Sequence, residues 1–131
     1  MVRQSSPPMQ EHGLNPEAYK ELPLWKNSYA IGQAVDRLTN DFPHHNAMVG
    51  ILREKSAALP VAVTLCTLAD NPAQYADSLK DVYELAHDAE YVLFFCLMFK
   101  YLPLEDVGRL QAELCEVKQL VIEAVQETIN R

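Results

Sequence analysis

The chain has 131 residues, 49% of them hydrophobic, and its 11 basic and 18 acidic side chains leave a net charge of −7. That length fits one domain with enough interior to need no disulfide or metal staple, and the apolar content excludes a disordered chain. Most of the negative charge follows Pro72, where eleven acids face five bases, and it opposes long-range attraction to phosphate backbones.

Residues 1–15 carry Ser5-Ser6-Pro7-Pro8 and Gly13 without periodicity and read as a flexible arm, leaving residues 16–131 as the domain. The arm lacks the apolar core of a signal peptide. The longest apolar run, residues 91–99, is nine residues and far short of a membrane span. The expected location is the cytoplasm.

A short turn after Asn15-Pro16 leads into a first helix expected over residues 22–40. Its stripe is Leu24, Ile31, Val35, Leu38 and Phe42. The stretch NDFPHHN (residues 40–46) then interrupts the pattern. Pro43 has no N–H for a continuing helix and pushes Phe42 out of the α region, so the helix ends near residues 39–41. Pro43 itself suits an early position of the next helix. His44 and His45 are adjacent and would point about 100° apart on a helix, so both do not easily ligate one ion. They read as polar residues of an exposed first turn.

A second helix is expected over residues 44–69, with apolar positions Met48, Ile51, Leu52, Leu59, Ala62, Leu65, Cys66 and Ala69. Pro60 lies in its middle, where proline costs about 3 kcal/mol unless packing absorbs a bend. The pattern keeps phase across it, so one kinked helix is expected. Asp70-Asn71-Pro72 is the clearest break, with Asp70 or Asn71 as N-cap and Pro72 at the first position. The third helix, residues 72–102, carries the stripe Tyr75, Leu79, Val82, Ala86, Ala89, Leu93 and Cys96. The fourth, residues 104–130, alternates steps of three and four through Val107, Leu110, Leu114, Val117, Val121, Ala124 and Thr128. No strand period occurs. These segments and their short connections predict an all-α, antiparallel up-down four-helix bundle with helix two kinked at Pro60.

Several of these residues resemble the bacterial four-helix bundle protein family whose founding members are encoded in intervening sequences of large-subunit ribosomal RNA genes. The features are Trp25, the Phe42-Pro43 break, Leu52-Arg53 followed by Leu59-Pro60, an acid at Glu84 or Glu90, and Tyr101-Leu102. The likeness spans residues 22–129. Glu54 stands where the family carries a second basic residue, and residues 61–66 (VAVTLC) replace its small-Asn-Ile-Ala-Glu-Gly segment. His87-Asp88 stand near its Gly-Ser pair, so the resemblance is to a divergent member. It implies an antiparallel bundle that often forms a homopentameric ring. One branch of the family is basic and partners a reverse transcriptase and nucleic acid. This acidic chain lacks that charge, so the nucleic-acid partner is not carried over.

Glu84 and His87 form a single ExxH, whereas di-iron bundles need two such motifs and two further glutamates. Glu113, Glu116 and Glu123 lie off the seam of helix four and read as surface residues. Glu90, beside Ala89 and Leu93, reads as a half-buried acid paired with Arg53 or a lysine of a neighbouring helix; Asp88 stands near it. Cys66, Cys96 and Cys115 form no CxxC and read as reduced thiols packed as small hydrophobes. No metal or cofactor is expected.

Residues 91–99 (YVLFFCLMF) are the most informative stretch. Leu93, Cys96 and Leu97 serve one core stripe, which leaves Tyr91, Phe94, Phe95, Met98 and Phe99 on other faces. Aromatic residues and Met are enriched at subunit interfaces. The expected function is therefore a non-enzymatic, homo-oligomeric interaction or scaffold module whose partner is itself. The alternatives are a nucleic-acid-associated accessory protein, by family analogy, and a metal-dependent bundle enzyme using Glu84 and His87.

Overall fold

Residues 18–41 and 46–130 are described by a computed structural model. A single 3-10 turn, Ala18–Glu21, precedes four helices: α1 (Pro23–Thr39), α2 (Ala47–Cys66), α3 (Pro72–Met98) and α4 (Leu104–Ile129). No strand occurs among the described residues. No described helix is long and apolar enough to cross a membrane.

The helix ends follow local chemistry. Asn46 caps α2, its side chain accepting from the Val49 N–H at 3.1 Å. Asn71 caps α3 by accepting from the Gln74 N–H at 2.9 Å, and the Gln74 side chain accepts in turn from the Asp70 N–H at 2.8 Å. These bonds satisfy N–H groups that a helix start leaves without partners. Pro23 and Pro72 occupy first-turn positions where the missing N–H costs nothing. Glu105 and Asp106 open α4, where carboxylates complement the helix dipole.

Two ends differ from the sequence expectation. Helix two stops at Cys66 rather than residue 69, because the N–H groups of Thr67, Leu68 and Ala69 turn back to carbonyls three residues earlier. Helix three stops at Met98 rather than residue 102. Lys100 takes a left-handed conformation with φ of 63°, and two bonds close the end: Tyr101 N–H to Cys96 and Lys100 N–H to Leu97. This is a Schellman closure with lysine where glycine is usual. At the other end, α2 is described from Ala47, capped by Asn46, whereas the sequence expectation starts it at His44 with Pro43 as an early residue. Phe42, Pro43, His44, His45 and the N-terminal arm lie outside the described residues.

Each helix packs on its neighbours in the chain, and α1 also packs on α4. All seven positions of the α3 stripe read from the sequence are buried; the α4 stripe is buried at Val107, Leu110, Leu114, Val117 and Val121 and only half-buried at Ala124 and Thr128. The stripe of α2 is different. Its buried face is Val49, Leu52, Ser56, Leu59, Val63 and Cys66, while Ile51 and Leu65 face outward.

Ser56 occupies a core position because α1 approaches closely there. A Cβ on Gly32 would stand 3.2 Å from the Ser56 carbonyl oxygen. That oxygen is the one that Pro60, having no N–H, leaves without its intrahelical donor. The Trp25 indole spans the same pair of helices, donating to Thr64 Oγ1 at 3.1 Å, and Thr64 Oγ1 donates to the Pro60 carbonyl at 2.9 Å. Beyond Gly32, Arg53 of α2 reaches the Asp36 carboxylate at 2.6 Å and also donates to Thr39 Oγ1.

Candidate functional site

The sequence places chemistry-bearing residues mainly on α3, and the structure divides them into a polar cluster and an apolar belt. The cluster joins α3 to α4. Lys118 Nζ lies 2.7 Å from Glu90 Oε1 and 3.2 Å from His87 Nδ1, and 5.1 Å from the centre of the Tyr83 ring. His87 stands edge-on to Tyr91 at 5.0 Å between ring centres. Lys118 and Glu90 are largely shielded from solvent, with 16% and 21% of their side chains exposed.

Burial pulls the Lys118 ammonium towards its neutral form, but the hydrogen bond and charge of Glu90 oppose this, helped by Tyr83 and Cys115. The net shift is upward from the ordinary lysine value. Glu90 thus has its partner in a lysine of α4, while Arg53 is engaged with Asp36 on α1. The Lys118–Glu90 pair forms a clasp between α3 and α4.

Glu84 and His87 both line an open groove of about 530 Å³ between α3 and α4, with Tyr83, Val121, Ile122 and Val125. His87 also borders a second groove with Glu90, Tyr91, Phe94 and Cys115. Among the described residues, no group of three or more His, Cys, Asp or Glu side chains is placed to hold a metal ion. Glu116 and Glu123 are exposed. Glu113 is not a plain surface residue: it is half-buried beside Asn27 and Ala30 of α1, and its Oε1 has no hydrogen-bond partner among the described residues. Asp88 pairs with Lys55 across α2 and α3 at 3.4 Å.

The cysteines divide two to one. Cys66 and Cys96 are buried, and Cys115 is exposed, contrary to the expectation that all three pack inside. Burial, aided by the charge of Asp81, pushes the Cys66 thiol up to about 12, and burial also raises Cys96. Neither sits where a thiolate is favoured.

The belt lies on the C-terminal part of α3. Tyr91, Phe94, Phe95, Met98 and Phe99 are between 41% and 58% exposed. Phe94 and Phe95 meet edge-on at 6.0 Å, and Phe99 stacks on Tyr101 at 5.9 Å. Large apolar side chains gathered in this way are uncommon on a monomer surface.

A second apolar row went unrecognised in the sequence. Val61, Leu65 and Leu68, on and just beyond α2, are 53% to 60% exposed. With Ile51, Glu54 and Ala58 they follow steps of three and four from residue 51 to residue 68, the spacing of a helix-docking seam. That alternation was the available signal. It was masked because α2 carries a buried stripe of the same spacing two residues out of phase.

No family model and no curated protein matches the chain.

Proposed function

We propose that the protein is a non-enzymatic, homo-oligomeric helical-bundle module whose subunits meet through the α3 belt. The observation that carries this is the exposure of Tyr91, Phe94, Phe95, Met98 and Phe99 on one stretch of helix. Burying such a cluster is favourable at roughly 25 cal/mol per Å², and aromatic and Met side chains are the usual anchors of an interface. The polar groups beside the belt are tied up in the Lys118–Glu90 clasp, which suits a structural surface better than a catalytic one. The family resemblance favours a pentamer.

In this proposal the bundle is antiparallel and up-down, with α2 bent at Pro60. Its support is pairwise: Trp25 near the start of α1 meets Thr64 near the end of α2, and Arg53 near the start of α2 meets Asp36 near the end of α1. Residues 76–88 share a groove with residues 121–126, and residues 87–94 share one with 111–115, the order of antiparallel neighbours. The bend is supported by the Ser56 carbonyl that Pro60 frees and by the close approach of Gly32 beneath it.

Size-exclusion chromatography with light scattering tests the reading. The unaltered chain is expected as an oligomer, and Phe95→Asp or Met98→Asp as monomers with unchanged helix content. Soluble variants that keep the full assembly mass would overturn it.

A further inference from the structure

The belt needs a complementary surface, and the α2 row supplies one of matching length. Val61, Leu65 and Leu68 span seven residues in steps of four and three; Tyr91, Phe94 and Met98 span seven in steps of three and four. Each row is therefore about 10 Å long, and the two spacings coincide when the helices run in opposite directions. Leu68 then meets Tyr91, Leu65 meets Phe94, and Val61 meets Met98.

The charges at the edges agree with this register. Val61 and Leu65 share a shallow groove with Asp81 and Glu84 of α3. Among the described residues neither carboxylate forms an ion pair, and neither does the exposed Lys100 two positions beyond Met98. Antiparallel docking brings Lys100 to the Val61 end of the row, next to those carboxylates. One chain does not join its own two patches. Asp81 and Phe95 are fourteen residues apart on the same helix, which separates the patches by about 21 Å.

We propose that the α3 belt of one copy docks antiparallel on the Val61–Leu65–Leu68 row of a second copy, with Lys100 facing Asp81 and Glu84. This rests on the oligomeric reading above and names the surface that the belt covers. The contact joins different patches, so each chain offers one donor and one acceptor face, as ring assemblies require.

Phe94→Asp spoils only the belt and Leu65→Asp only the row, and both positions are exposed, so neither change disturbs the core. Each variant alone is expected to be monomeric by native mass spectrometry. Mixed at the concentration where the unaltered chain is assembled, they are expected to form a 1:1 complex of two 14.8 kDa chains, since each retains the face the other lacks. Lys100→Glu is expected to weaken assembly at least tenfold, and Asp81→Lys with Glu84→Lys in the same chain to restore it. If Leu65→Asp assembles like the unaltered chain while Phe94→Asp does not, the belt has another partner and this inference fails while the oligomeric reading stands. A mixture that stays monomeric also overturns it. An unaltered chain that is itself monomeric overturns both.

Discussion

Gly32 of α1 lies against the Ser56 carbonyl of α2, so closely that an added Cβ would stand 3.2 Å from the oxygen. The opposing atoms are backbone and cannot swing aside as a side chain would. Gly32→Val is therefore expected to destabilise the fold by about 1–3 kcal/mol, the usual range for an overpacked contact. Gly50 and Gly108 provide the contrast: among the described residues, and apart from each glycine's chain neighbours and the helix's own nearby backbone, nothing lies within 4 Å of a Cβ at either. Alanine at each is expected to stabilise by about 0.5–1 kcal/mol through helix propensity. Urea unfolding of the three variants checks both signs together.

The left-handed Lys100 that closes α3 gives a second prediction. A non-glycine residue in that conformation costs about 1–2 kcal/mol. Lys100→Gly is expected to recover about 1 kcal/mol and to raise the melting temperature by a few degrees. Thermal unfolding in the Phe95→Asp background, expected to be monomeric, isolates this effect from any contribution of Lys100 to assembly.

Lys118 and Glu90 predict a pH dependence. The folded lysine has a raised pKa, so its contribution is fully present below the ordinary lysine value of 10.5 and is lost as pH rises through the higher folded value. The stability advantage of the unaltered chain over Lys118→Met is expected to be constant near neutrality and to shrink in strong alkali. A double-mutant cycle of Lys118→Met and Glu90→Gln is expected to give a coupling of about 1–2 kcal/mol at pH 7. Denaturant unfolding across pH measures both.

Thiol titration separates the three cysteines. Cys115 is exposed, while Cys66 and Cys96 are buried and hold their protons. One thiol is expected to react with a disulfide reagent in the native state at pH 8, and all three after denaturation. Rapid native labelling of Cys66 would contradict the packing at the α2 end.

The division between what the sequence revealed and what it hid has a physical cause. The stripes of α3 and α4 were legible because a single apolar face stands against polar ones, as at Leu79, Val82, Ala86 and Ala89. The α2 stripe was not, because that helix is apolar on two faces. Ile51 and Leu65 looked like core residues, while Ser56 did not. The burial of Ser56 depends on Gly32 of another helix, a relation that spacing within α2 does not carry. Phe94, Phe95 and Met98 were identifiable as surplus to one core stripe. The sequence leaves Arg53 or a lysine as the partner of Glu90; that it is Lys118 depends on the register between α3 and α4. The end of α3 was missed because Lys100 does the work that a glycine would have advertised.

Native mass spectrometry of the 131-residue chain, beside a denatured control, decides whether it assembles. The expected result is a whole-number multiple of the 14.8 kDa chain with no additional bound mass, with five copies favoured. A monomer at every concentration would contradict it. A monomer carrying a bound small molecule would move attention from the belt to the groove between Tyr83 and Val125.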